Sequence, residues 1–301
     1  MRKLMLGAAL LSAFAATPAY ANLSVFACEP EWGALAKEIG GDKVSIYTAT
    51  TGAQDPHQIQ ARPSLIAKAR SADITVCTGA ELEIGWLPMI VQQADNAKIQ
   101  PGQPGAFEAT RFVRLLEQPT SLDRAQGDIH AAGNPHIQTD PRMMLPVAKA
   151  LAARFAQLDP SSAQAYSAHA ADFKKRWNAA VAKWTAEAAP LKGVDIAVQH
   201  HAWIYMEIWL GLHEVVPLEP KPGVPPSSGY LAQVLQKLQQ QPAKFVIRAA
   251  YEDDRPSEFI ADKAGIPAIG LPFTVGGTDE AKDLFALYDD TIHRLLGGLK
   301  K

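Results

Sequence analysis

Short apolar runs alternate with amphipathic stretches along most of this chain. Residues 23–28 read as a buried strand, and 31–39 follow as a helix with Trp32, Leu35, Ala36 and Ile39 on one face. Gly40-Gly41 stops that helix. Residues 44–48 and 73–77 read as further strands, with a helix over 63–69 between them that Pro63 starts. The stretch 79–95 carries Leu82, Trp86, Leu87, Ile90 and Val91 at helical spacing, and Pro88 must kink or break it. Residues 101–133 are rich in Gly, Pro and Gln; the apolar piece 112–116 reads as a strand, followed by an exposed loop that contains His130.

The second half opens with helices. Residues 140–158 place Met144, Val147, Leu151 and Phe155 on one face. Tyr166, Ala170, Phe173, Trp177, Val181 and Trp184 then form one apolar stripe, at spacings of 4, 3, 4, 4 and 3. A helix over 160–189 is roughly 45 Å long at 1.5 Å per residue, more than the width of a small lobe. It reads as a spine spanning two lobes; the alternative is a helical hairpin broken near Lys174. Strands follow at 194–199, 214–217, 245–248 and 267–271, separated by helices over 202–210, 230–239 and 256–263, and a helix over 279–299 closes the chain. Alternating strands and helices predict an α/β fold of two Rossmann-like lobes with parallel sheets, joined by the long spanning α-helix. The expected division is 1–21, a signal peptide; 22–159, an N-terminal lobe; 160–189, the linking helix; and 190–301, a C-terminal lobe.

Composition narrows the setting. The 301 residues are 48% hydrophobic with a net charge of −2, an ordinary globular balance with length for two lobes. Near-neutral charge and the absence of basic runs argue against nucleic acid and membrane surfaces as partners. The first residues differ: Arg2 and Lys3 precede the apolar run 4–16, and Ala19-Tyr20-Ala21 is an A-x-A site. This predicts a secretory signal peptide cleaved after Ala21, with no cysteine behind it to carry a lipid, and hence a periplasmic protein. In an oxidising compartment the pair Cys28 and Cys77, each at the end of an apolar run, suggests a disulfide; two buried free thiols are the alternative.

The candidate chemistry is histidine. Asp55-Pro56-His57, Asn134-Pro135-His136 ahead of Asp140-Pro141, and Gln199-His200-His201 each follow a strand or precede a helix. Ligands of open parallel sheets gather at the carboxyl ends of the strands. Three neutral imidazoles suit zinc, which takes four tetrahedral ligands, whereas manganese takes more oxygen donors. Spacing alone does not establish a metal site, because no short signature such as H-E-x-x-H occurs. A metal-bound hydroxide on these histidines also lacks a general base and an oxyanion stabiliser, so an enzyme is not expected.

Four segments in order carry a resemblance. Asp55-Pro56-His57 with Arg62-Pro63-Ser64, Thr78-Gly79-Ala80-Glu81-Leu82-Glu83, Asn134-Pro135-His136-Ile137 with Asp140-Pro141, and His200-His201-Ala202-Trp203-Ile204-Tyr205 resemble the motifs of periplasmic zinc and manganese receptors of ABC transporters, the cluster that includes the high-affinity zinc receptor. The likeness runs from Leu23 to the C-terminus. It implies His57, His136 and His200 as metal ligands, with His201 in the place of the family's Asp; His201 as the ligand instead is the alternative. The family often draws a fourth ligand from a late L-D-P segment, but the matching stretch here is Leu271-Pro272-Phe273-Thr274 and its Asp is missing. Water, Asp279 or Glu252 then takes the fourth place. The long His-rich loop of many zinc receptors is reduced to residues 121–130, where His130 reads as a solvated loop residue or a weak collecting ligand.

The function implied is a monomeric periplasmic solute-binding protein that binds a divalent metal ion, Zn2+ as transported ligand, in the cleft between the lobes and delivers it to an ABC permease in the inner membrane. A manganese or iron receptor, a periplasmic zinc chaperone and a secreted zinc hydrolase are the alternatives.

Overall fold

The structure is a computed structural model that describes residues 22–119, 127–128 and 130–300. The signal peptide and its cleavage after Ala21 lie outside the described residues, as does most of the loop before His130. Two four-stranded sheets form, both wholly parallel and in the same order. The first runs β2-β1-β3-β4, from β1 (Leu23–Ala27), β2 (Val44–Thr48), β3 (Ile74–Cys77) and β4 (Ala106–Glu108). The second runs β6-β5-β7-β8, from β5 (Asp195–Val198), β6 (His213–Pro217), β7 (Phe245–Ala249) and β8 (Ala268–Leu271). In each, the strand that comes first in the chain sits inside, so the crossovers run to both sides of it and a crevice opens at its carboxyl end.

Local chemistry explains the helices. In α1 (Pro30–Gly40), Pro30 occupies the first turn, and Trp32, Leu35, Ala36 and Ile39 are buried against the sheet. α2 spans Pro63–Arg70. The expected helix over 79–95 is broken: α3 is only Leu87–Ala94, with Pro88 in its first turn, where a missing N–H leaves nothing unbonded. Ahead of it the chain turns through Gly79, Ala80 and Glu81, all at positive φ. The expected strand over 112–116 is also displaced. β4 forms six residues earlier because Phe107 is the buried side chain there, while Phe112 stacks on it from outside, ring centroids 4.9 Å apart. Cys28 and Cys77 follow and end neighbouring parallel strands, their Cα atoms 4.8 Å apart, and are joined as a disulfide.

α4 (Met144–Leu158) leads to the spine, α5 (Ala163–Glu187), which is continuous through Lys174. Its 25 residues make about 37 Å of helix, shorter than the sequence suggests because the residues on either side, Pro160–Ser162 and Ala189–Leu191, form tight 3-10 turns. Tyr166, Phe173, Trp177 and Trp184 are its buried stripe. Tyr166 packs on Phe155 of α4, whereas Trp177 and Trp184 pack on Phe285 and Tyr288 of the last helix, α9 (Leu284–Gly298). Trp184 Nε1 donates to Asp289 Oδ1 at 2.7 Å. One apolar core therefore runs from Leu23 in the first sheet to Leu295 behind the second. The remaining helices, α6 (Ile204–Leu210), α7 (Ser228–Gln240) and α8 (Arg255–Ala264), serve the second sheet.

Candidate metal centre

Three histidines meet between the sheets. Ring centroids are 5.3 Å apart for His57 and His136, and 5.8 Å for His200 with each of the others. One nitrogen from each lies within 4.8 Å of the others. A tetrahedral zinc with nitrogens at about 2.0–2.1 Å sets them roughly 3.3 Å apart, so each ring needs to move inward by only about an ångström.

Each ring is aimed by its own loop. His57 follows β2, and Asp55 Oδ1 accepts both its backbone N–H (2.9 Å) and its Nδ1 (2.8 Å). Trp86 Nε1 donates to Pro56 O at 2.9 Å and pins that loop from α3's side. With Nδ1 bonded to a carboxylate, the bare Nε2 is left buried and without a partner. His200 follows β5; its Nδ1 bonds Glu219 Oε2 at 2.7 Å, and the same oxygen accepts Gly223 N–H at 2.8 Å. A carboxylate behind an imidazole fixes ring and tautomer and raises its basicity as a ligand. Burial pulls the His200 pKa down, but Glu219 outweighs it and leaves it above the ordinary histidine value. His136 is 1% exposed. Asn134 Oδ1 accepts its N–H at 3.0 Å, closing an Asx turn that Pro135 stiffens, and its Nδ1 has no partner. Burial first, then His57 and His200, push its pKa well below 6.5, so it stays neutral. Orphaned ring nitrogens on His57 and His136, in a cluster where three imidazoles bring a nitrogen each within 4.8 Å, are a donor set that fits a borderline-soft divalent cation.

The motifs that carry His136 and His200 are tied directly to each other. Tyr205 OH donates to Asn134 O at 2.7 Å and accepts from Leu116 N–H at 3.0 Å. His201 is turned away from the cluster: Nδ1 bonds Glu214 and Nε2 bonds Glu117, both at 2.7 Å. Those two carboxylates, Glu117 first, push its pKa up to about 10. Both its nitrogens are occupied, which leaves His200 as the member of the pair that points into the site.

The loop after β8 closes the other side. Phe273 stacks edge-on against His136 at 5.3 Å, in the segment where the resemblance implies a carboxylate. Next to it, Thr274 Oγ1 accepts Glu31 N–H at 3.2 Å and donates to Glu31 Oε2 at 2.5 Å, joining the start of α1 to the second lobe. Of the alternatives for a fourth ligand, Glu252 lines a cavity beside His57 and His200, its Oε2 accepting Ala249 N–H at 2.5 Å. Asp279 lines neither of the cavities at the histidines.

His130 is half-buried, and its ring sits 5.4 Å from His57 and 6.1 Å from His136, nearer the cluster than its polar loop suggests. The backbone of Ala80 and Glu81 hydrogen-bonds the ring, while Glu81 Oε2 accepts Ala131 N–H at 3.0 Å. Burial, then His57 and His200, bring its pKa down to about 4. The available signal was the Thr78-Gly79-Ala80-Glu81-Leu82-Glu83 segment. There Glu83 Oε1 accepts Thr78 N–H at 2.7 Å and shapes the left-handed turn on which the His130 loop rests.

Two lobes braced by one rigid helix, with imidazoles from both converging in the crevice, describe a metal-binding solute receptor. The chain belongs to the family described as "Zinc-uptake complex component A periplasmic" (ZnuA), whose model matches residues 25–297. It is thus a substrate-binding protein of a metal ABC transporter and not an enzyme; the family binds metal ions and works with an ABC permease. Among curated relatives, the manganese ABC transporter substrate-binding lipoprotein PsaA of Streptococcus anginosus is 21% identical over 272 residues, covering 89% of this chain and 86% of that protein. The zinc-binding lipoprotein AdcA of Streptococcus pneumoniae is 20% identical over 230 residues, 75% of this chain but only 44% of the longer AdcA. Among solved structures, a crystal structure of ZnuA superposes with a TM-score of 0.74 at 21% identity, covering 91% of this chain and 99% of that one. The cadmium-bound periplasmic metal-binding protein of Candidatus Liberibacter asiaticus gives 0.74 at 15% identity, covering 92% and 100%. Among the described residues no helix is long and apolar enough to cross a membrane.

Proposed function

We propose that this protein is a periplasmic zinc receptor that binds Zn2+ through His57, His136 and His200 and hands it, as a monomer freed from its signal peptide after Ala21, to an inner-membrane permease. The observation that carries the reading is the convergence of three ring nitrogens, two of them on rings held by Asp55 and Glu219. An all-imidazole set favours zinc; manganese is better served by carboxylate oxygens, and Phe273 stands where such an oxygen is expected. His130 completes four ligands by swinging inward from the neighbouring loop, in preference to water, Asp279 or Glu252. Relatives named for zinc and for manganese occur side by side, so the metal is decided by titration. Calorimetry on metal-free protein should give one tight Zn2+ per chain and Mn2+ at least a hundredfold weaker. His57→Ala, His136→Ala and His200→Ala should each lose most of the zinc affinity, and His201→Ala should keep it. Manganese tighter than zinc, or three alanine variants that bind zinc normally, would end the proposal.

A further inference from the structure

Asn134, two residues before His136, is buried and has every polar group bonded. Its N–H donates to Leu116 O at 2.8 Å and its Nδ2 to Glu117 Oε2 at 2.9 Å, both in the segment after β4. Its Oδ1 accepts the N–H of His136 at 3.0 Å. The remaining bonds reach the second lobe. Its O accepts Tyr205 OH at 2.7 Å, and its Nδ2 also approaches His201 O at 3.5 Å. The Tyr205 oxygen accepts Leu116 N–H at 3.0 Å as well, so one buried phenol closes a ring of hydrogen bonds through Leu116 and Asn134.

The backbone is bent to make this bracket. Glu117 has φ of 51°, a region that residues with side chains rarely enter. Such a conformation persists where the surroundings hold it. Here the Glu117 carboxylate does so, accepting from His201 Nε2 at 2.7 Å and from Asn134 Nδ2 at 2.9 Å. On the facing segment Gly133 has φ of 118°, and a Cβ there would stand 2.5 Å from Leu116 O. Only glycine lets the two segments come this close.

His136 and His200 enter the cleft from different lobes, their ring centroids 5.8 Å apart, so no local turn fixes their spacing. Asn134 anchors the first ring, and Tyr205 belongs to the segment that carries the second. We infer that Asn134 and Tyr205 are positioning residues of the metal centre, holding His136 and His200 at ligand spacing before the ion arrives. The inference rests on the zinc-receptor reading for the identity of the ligands, and it assigns part of the affinity to two side chains that touch no metal. Donors ordered in advance bind more tightly because the ion does not have to order them.

The test is a set of double-substitution cycles. Tyr205→Phe and Asn134→Ala are made alone, with His136→Ala and with His57→Ala, and zinc affinity is read by calorimetry with chelator competition. Each is expected to weaken zinc about tenfold alone, the usual effect of losing a partner behind a ligating histidine, and to do so again when His57 is alanine. Neither should matter once His136 is alanine, because no ring is left to place. Equal losses in all three backgrounds mean a general loosening of the fold and overturn the inference, as does unchanged affinity in both single variants. A second readout needs no metal. In metal-free Tyr205→Phe the His136 N–H, which Tyr205 does not touch, should exchange with solvent several times faster than in wild type, while the amides of β1 keep their rates. If the zinc reading fails, wild-type protein takes up no zinc and exchange alone decides: faster exchange at His136 supports its positioning by Tyr205, and an unchanged rate overturns it.

Discussion

Replacing His201 by Gln keeps a polar side chain of similar reach and removes the imidazolium that joins the two lobes beside the metal centre. Its partners are Glu214 on β6 and Glu117 in the loop after β4. Glu117 Oε2 in turn accepts from Asn134 Nδ2 at 2.9 Å, and Asn134 Oδ1 holds the N–H of His136 at 3.0 Å. A third carboxyl, Glu207, lies close by, its pKa pushed up to about 8 by burial and by Glu214. Raising the His201 pKa from 6.5 to about 10 corresponds to roughly 4–5 kcal/mol at about 1.4 kcal/mol per tenfold change. The ring is 34% exposed, so solvent screening brings the net figure to about 2 kcal/mol. The sign follows from the direction of the change. A histidine whose folded pKa lies above its unfolded one contributes its full stabilisation below pH 6.5 and loses it as pH rises toward 10. Urea unfolding of metal-free wild type and His201→Gln should therefore differ by about 2 kcal/mol at pH 6, and the gap should at least halve by pH 9.5. A gap that is absent, or equal at the two pH values, would refute a charged His201 between Glu117 and Glu214.

Two shorter predictions concern the scaffold. The disulfide closes a separation of 49 residues, worth about 4 kcal/mol in chain entropy; Cys28→Ser with Cys77→Ser should cost up to that amount in chemical denaturation, and alkylation of denatured, unreduced wild type should label no thiol. At Gly52, a Cβ would come within 2.4 Å of backbone atoms of Gly276 and Gly277. Gly52→Ala should thus cost about 1–3 kcal/mol and weaken zinc binding, because the loop it displaces carries His57; unchanged melting and affinity would mean that the two loops part freely.

The parts of the site visible in the sequence were those fixed by local chemistry. Pro56 and Pro135 stiffen the turns that present His57 and His136, and Asp55 sits two residues from the ring it holds. The spine was visible because Tyr166, Phe173, Trp177 and Trp184 repeat at helical spacing. What stayed hidden depends on contacts distant in sequence. His130 lies in a polar stretch without periodicity, and its place depends on the turn at Ala80 and Glu81, about fifty residues earlier. The partners of His201 are Glu117, 84 residues back, and Glu214 on another strand. The strand at Ala106–Glu108 has little sequence signal because Phe112 and Leu116 are the more conspicuous apolar residues of the stretch, whereas pairing with β3 selects Phe107.

Zinc K-edge X-ray absorption on protein loaded with one equivalent of zinc tests the central claim most directly, because it reads the donor set without any substitution. The expected spectrum has a single shell of four nitrogen or oxygen scatterers at about 2.0 Å, with the outer-shell pattern of at least three imidazoles and no sulfur. A shell of five or six oxygens at longer distance, or one with fewer than two imidazoles, would contradict zinc binding by His57, His136 and His200.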